Sequence, residues 1–167
     1  MNSPFNNDFK VTQIQHKNHD GLDLVGLIDK NIYSTVNGVV EYADWENVND
    51  KKQGFGKYVK IIDEKTGYGV YFGHLSEISV KVGDKVKITD KIGVMGNTGH
   101  STGEHCHYCV RKNGKGSEID ISEFSGIPNK LGVYNDGYRG NASNNNTNYI
   151  TLSITIDGKT YNGKLYS

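Results

Sequence analysis

Residues 103–109 read GEHCHYC, which sets His105, Cys106, His107 and Cys109 within five positions. These are metal-binding and redox side chains, and the C-x-x-C spacing admits a thiolate zinc knuckle or a redox pair. Geometry separates the options. Successive side chains of an extended strand point to opposite faces. His105, His107 and Cys109 would then share one face, and Cys106, Tyr108 and Val110 the other. A knuckle or a disulfide needs both sulfurs to converge. The pair is therefore expected to be neither, with Cys106 in a core, since free cysteine is among the most buried residue types. Cys109 shares the histidine face and is expected to be a packed thiol.

Two histidines on one face do not complete a metal site. Catalytic zinc usually takes three protein ligands from His, Asp, Glu and Cys, and keeps a fourth position open. HDGLD offers His19 and Asp23 at a spacing of four. In a straight strand their Cα atoms would lie about 13 Å apart, too far to share an ion, so a bend or bulge at Gly21 would be required. Alone, H-x-x-x-D reads as two polar surface residues. His16, three residues earlier, could compete with His19 but is the weaker candidate, and His100 in TGHSTG reads as a solvated loop residue.

The elements that must position these groups are strands. The 167 residues suffice for one domain with a core and an appendage. Gly is abundant at 21 residues, Pro is nearly absent at 2, and Val and Ile are frequent, which points to a β-rich chain with tight turns. FGKYVKIID, YGVYFGHLS, SVKVGDKVKITDKIGVMG and EHCHYCVRKNG all alternate apolar and polar residues between Gly turns. VKVGDKVKI reads as a hairpin, with Val80 and Val82 on one side of Gly83-Asp84 and Val86 and Ile88 on the other. No long amphipathic helix is expected. GIPNKLGVYNDGYRGNASNNNTN reads as a polar connector, and YITLSITIDGKTYNGKLYS as a final hairpin turning at Asp157-Gly158. The expected division is a main domain over residues 1–126, a linker over 127–147 and a hairpin over 148–167. The hairpin should pack on the main domain or on another chain. Trp45 and the tyrosines are assigned to packing.

Lys+Arg and Asp+Glu both number 19, so the net charge of zero gives no reason to expect nucleic acid or an anionic membrane as partner. No apolar run approaches the length of a membrane span, and MNSPFNNDFKVT lacks a signal-peptide pattern. The expectation is a chain delivered by a phage or mobile element, or a domain of a longer secreted or virion protein.

The ordered set H-x-G-x-D, GHLS and GDKVKxxxKIGxxGxTGxSTGxHxHY, with NGVVEYADW and GFGKYVKIIDEKTGYGVYFGHLS between, resembles the lysostaphin-like (LytM-type) zinc endopeptidases that cut bacterial peptidoglycan. The resemblance runs from about Phe5 to Phe124. It implies a mostly antiparallel β domain with a groove floored by one zinc per chain. It also implies His19, Asp23 and His107 as ligands, with His74 and His105 as the unligated catalytic pair. In such a site a metal-activated water attacks a peptide bond. This chain departs from the family's usual residues at Cys106 (commonly apolar), Cys109 (often acidic) and Glu104 (commonly proline). Thr89-Asp90 stands where Gly-Gln is typical, and IQHKN where an aromatic-Gly-x-Arg stretch is usual. No departure removes a proposed ligand or catalytic histidine. No HExxH helix is present, so a glutamate base of that type does not apply.

Three functions compete. One is a zinc endopeptidase acting on peptidoglycan stem peptides or cross-bridges. The second is a relative without catalysis that binds or regulates. The third is an assembly or wall-binding component of a phage tail or mobile-element machine. The presence of all five proposed residues favours the first.

Overall fold

The computed structural model describes residues 1–136 and the backbone of two later strands, Tyr149–Ile156 and Lys159–Tyr166. In chain order the elements are β1 (Asp8–Gln13), β2 (Leu22–Gly26), β3 (Asn31–Tyr33), β4 (Gly38–Trp45), β5 (Lys57–Asp63), β6 (Gly69–Gly73), β7 (Glu77–Ile78), β8 (Lys85–Val86), β9 (Lys91–Val94), β10 (Cys106–Arg111), α1 (Ile121–Ser125), β11 (Gly132–Asn135), β12 (Tyr149–Ile156) and β13 (Lys159–Tyr166). An eight-stranded sheet runs β11-β1-β2-β10-β6-β5-β4-β8, and a smaller sheet runs β3-β9-β7. The pairings are antiparallel, as the alternating strands require. No helix among the described residues is long and apolar enough to cross a membrane.

The two faces of the large sheet differ. Val11, Leu22, Leu24, Val40, Val59, Ile61, Val70, Phe72, Cys106, Tyr108 and Val110 form one buried cluster with Ile32, Leu75 and Ile92 from around the small sheet. Burying this face supplies the main driving force for folding, at about 25 cal/mol per Å² of apolar surface. The opposite face carries Asp23, Tyr58, Lys60, Tyr71, His107, Cys109 and Arg111, as their registers show. The helix is a single capped turn: the Asp120 side chain accepts from the amides of Ser122 and Glu123, and Gly126 closes it with φ 72°.

Two expectations are corrected. Residues 80–88 do not form a hairpin. β8 pairs with the start of β4, Gly38 opposite Val86, and Gly83 turns the chain with φ 89° while its amide donates to the Val40 carbonyl. The alternation at Val80 and Val82 belongs to a turn closed by Lys81 and Asp84, which leaves Val82 62% exposed. The first part of the connector is also not loop. Gly132–Asn135 form β11 on β1, and Ile127 is in the core. An edge strand has one free flank and one exposed face, so it tolerates the polar composition that suggests a loop. β12 and β13 pair from Tyr149↔Tyr166 to Ile156↔Lys159 as the final hairpin, and the expected Asp157-Gly158 turn lies outside the described residues.

Thr89 has φ 79°, the left-handed region, in the turn that leads into β9. A β-branched side chain there is strained by about 1–3 kcal/mol. Replacement by Gly relieves that strain against about 0.5–1 kcal/mol of added chain entropy. Thr89→Gly should raise stability by about 1 kcal/mol and Tm by about 2–4 °C in a chain of this size. A thermal melt that moves down would show that the hydroxyl or methyl stabilises the turn by more than the strain.

Candidate metal centre

The site is built on the antiparallel pair β2 and β10. Asp23 lies directly opposite His107, although 84 residues separate them in sequence. His19 reaches them from a tight turn in which the amides and carbonyls of His16 and His19 bond reciprocally at 2.9 Å. The required bend is present, and Gly21 sits in it. A Cβ there would meet the Tyr108 carbonyl oxygen at 2.5 Å and His107 Nε2 at 2.8 Å, so only glycine lets this segment lie on β10.

Donor atoms of His19, Asp23 and His107 all lie within 4.8 Å of one another. His19 Nε2 is 3.1 Å and His107 Nδ1 2.9 Å from the same oxygen, Asp23 Oδ1. Their outer partners fix the tautomers. His19 Nδ1–H donates to the Ile14 carbonyl at 2.9 Å, and His107 Nε2–H to Asp20 Oδ1 at 3.0 Å. Both accept only, so the inner nitrogens present lone pairs to a carboxylate oxygen. That contact is repulsive unless a proton or a cation lies between. Two imidazoles and one carboxylate suit zinc, whose bonds of about 2.0–2.2 Å separate tetrahedral ligands by about 3.3 Å. The residues present therefore fit a zinc ion.

The electrostatics agree. Burial raises the Asp23 carboxyl, yet the imidazoles of His107, His19 and His105 around it outweigh that and hold the group well below the usual carboxylate range. Burial disfavours charge on His107, but Asp20 and Asp23 more than offset it, and the imidazole is pushed well up. A metal ion entering this site competes with protons for the inner imidazole nitrogens.

His74 and His105 flank this group with ring centroids 4.6 Å apart. His74 closes β6 with φ 62°, left-handed for a non-glycine residue, and is held there by its amide on the Phe55 carbonyl at 2.7 Å. Its Nδ1–H donates to the Thr98 carbonyl at 2.7 Å, which leaves Nε2 as an acceptor. Burial, with help from His105, lowers its pKa to about 4, so His74 is neutral at neutral pH. His105 Nδ1–H donates to the Gly103 carbonyl at 2.9 Å, and its Nε2 lies 3.4 Å from Asp23 Oδ1. It is outside the tight donor group.

The remaining histidines are peripheral. His16 is exposed and its Nδ1 accepts from the Asn18 amide, while His100 is exposed and lines the groove. The groove has a volume of about 1150 Å³, above the roughly 300–1,000 Å³ of small-molecule clefts, which suits an extended chain. Sequence reasoning missed Asp20, Arg111 and Phe55. Phe55 stacks on His107 with centroids 5.3 Å apart, and Arg111 lies over the rings of Phe55 and Tyr71. Asp20 stands inside HDGLD, but nothing local indicates its partner on β10.

Residues 17–120 match the peptidase family M23. The chain belongs to peptidase family M23. Among relatives, an uncharacterized metalloprotease of Buchnera aphidicola is 39% identical over 66% of this chain and 28% of its own length. Peptidoglycan DD-endopeptidase ShyC of Vibrio cholerae is 37% identical over 60% of this chain and 22% of its own. This M23 chain thus spans about a quarter of the length of the curated relatives it matches. Among solved structures, the catalytic domain of lysostaphin from Staphylococcus simulans superimposes with a TM-score of 0.58 at 27% identity, covering 71% of this chain and 90% of that one. The catalytic domain of the prophage-encoded M23 protein EnpA of Enterococcus faecalis gives 0.56 at 27%, covering 66% and 86%. The mainly antiparallel β fold is that of these M23 neighbours.

Cys106 and Cys109 are both free and fully buried on opposite faces of β10, Cys106 in the core and Cys109 against His107. Burial pushes both thiols up. Neither should react with a thiol reagent in the native protein, and both should react after unfolding. Cys106→Ser should still bind metal. Rapid native labelling, or a Cys106–Cys109 disulfide on peptide mapping, would refute the two-face assignment.

Proposed function

We propose that this M23 chain is a zinc endopeptidase that hydrolyses peptide bonds in bacterial peptidoglycan, in stem peptides or cross-bridges, and acts at the cell wall. One zinc per chain is held by His19, Asp23 and His107. The observation that carries the reading is the convergence of two imidazole lone pairs on Asp23 Oδ1 at 3.1 and 2.9 Å, at the floor of a peptide-sized groove. The relatives' names, peptidoglycan DD-endopeptidase and lysostaphin among them, support the substrate class.

When bound, the zinc lowers the pKa of a water toward about 7 and polarises the scissile carbonyl. The protein's own groups supply the rest. His74, neutral and with Nε2 open, accepts the proton of the attacking water. The leaving amine takes that proton, and His105, with its ring centroid 4.6 Å from that of His74, relays it. No feature among the described residues favours the alternative, a chiefly assembling part of a phage or mobile-element machine.

The histidines can be separated by metal content, measured beside release of new amino groups from purified cell walls. His107→Ala should lose zinc, because two ligands do not hold it. His105→Ala and His74→Ala should keep near-stoichiometric zinc while turnover falls by about 10² to 10⁴. Equal zinc loss in the His105 and His107 variants would make both ligands. Release of reducing sugar ends in place of amines would identify a glycosidase.

With β11 in the main sheet, the main domain runs on to Asn135; its separation from a terminal hairpin over residues 148–167 is likewise proposed, with the hairpin as an appendage that serves self-association or wall targeting. Deleting residues 148–167 should leave zinc stoichiometry unchanged and alter assembly or wall binding. A folded truncation without zinc would place part of the metal centre's support in the hairpin.

A further inference from the structure

Asp20 is absent from the proposed ligands and catalytic pair, yet it is held at both carboxylate oxygens. Oδ1 accepts from His107 Nε2–H at 3.0 Å, and Oδ2 accepts from Arg111 Nη2. Arg111 lies on β10 four residues after His107, on the same face. Its guanidinium is clamped over Phe55 at 5.2 Å and Tyr71 at 4.9 Å, and its Nε is 3.7 Å from Glu118 Oε1. The side chain is only 11% exposed, so it cannot swing away without uncovering two rings. His107 is fixed in turn by Phe55 stacked on it and His19 edge-on at 4.9 Å.

We infer that Asp20 is a positioning residue for His107. It sets the imidazole's tautomer and aims Nδ1 at the metal, and Arg111 holds Asp20 in place. This rests on the zinc reading above. A metal-bound imidazole is oriented and made more basic when its outer N–H meets a carboxylate, and losing such a partner weakens metal binding about 10–100-fold. His19 has only the neutral Ile14 carbonyl in that role, so the stronger outer partner belongs to His107.

One other group could serve His107. The Cys109 thiol lies against the same ring, and Asp20, His107 and Cys109 also bring donor atoms within 4.8 Å of one another. A thiol is a weak acceptor, however, and the Arg111 cation already occupies the free oxygen of Asp20, which opposes a second metal cation there.

The test uses the full chain and zinc alone. Zinc dissociation constants, from competition with a chromophoric chelator, are measured for wild type, Asp20→Ala, Asp20→Asn, Arg111→Met and Cys109→Ala, beside thermal midpoints of the metal-free proteins. Asp20→Ala should weaken zinc binding about 10–100-fold, and Asp20→Asn and Arg111→Met should weaken it by less. Cys109→Ala should leave affinity unchanged. The His107 Nε2–H proton signal should move upfield in Asp20→Asn, whose neutral amide oxygen accepts more weakly than a carboxylate, and this serves as the test if Asp20→Ala does not fold. A lowered metal-free midpoint with unchanged zinc affinity would make Asp20 merely structural and overturn the inference. So would two zinc ions per wild-type chain, one of them lost in Cys109→Ala. Failure of the underlying zinc reading shows separately, as a wild type that takes up no zinc or a His107→Ala variant that binds it undiminished.

Discussion

The register of β2 against β10 is the constraint on which the rest depends. Asp23 faces His107 across an antiparallel pair, where side chains directly opposite lie about 4.5–5.5 Å apart. A slip of one residue would carry His107 and Cys109 into the core and bring Cys106 and Tyr108 out. The core prevents that slip. Leu22, Leu24, Cys106 and Tyr108 are all fully buried on the other face, and Tyr108 also ends in a hydrogen bond between its hydroxyl and Thr35 at 3.0 Å. The apolar face therefore sets the register, and the register places the polar groups.

The polar face is electrostatically unfinished. Three imidazoles, His19, His105 and His107, crowd around the Asp23 carboxylate, and a second carboxylate, Asp20, backs His107 from the other side of its ring. Carboxylates so placed stay ionised only because histidine and arginine donors surround them. A buried charge without a partner costs several kcal/mol, so the cluster needs a cation or protons to be tolerated. Around it the supports are rigid: backbone carbonyls hold the Nδ1–H of His19, His74 and His105, and an aromatic wall of Phe55 and Tyr71 backs Arg111. A preorganised arrangement of this kind is what electrostatic catalysis requires.

Membership of family M23 and this geometry bear on each other without being the same statement. The family match covers residues 17–120 and does not assign roles to side chains. The geometry assigns donors and acceptors. It also gives Asp20, just before β2, a relation to His107 on β10.

Strand character, the β-rich class and the opposite facing of Cys106 and Cys109 were legible in the sequence, because a period of two is a local property of the chain. The ordered motifs also marked His19, Asp23, His74, His105 and His107 as a set. What failed was also local in origin. The alternation at Val80–Ile88 belongs to a turn and a two-residue edge strand, and the polar stretch after Gly126 hides β11. Edge strands need not be apolar, so composition does not separate them from loops. The tertiary structure alone decided that His19 and Asp23 meet, through the turn at residues 16–19 and the missing Cβ of Gly21. It alone brought Asp20 to His107 and Arg111, and Phe55 onto the imidazole. These contacts cross between segments 52 to 91 residues apart in sequence. Such partners are chosen by which strands pair and in what register, and burial of the whole core fixes that pairing, not any single motif.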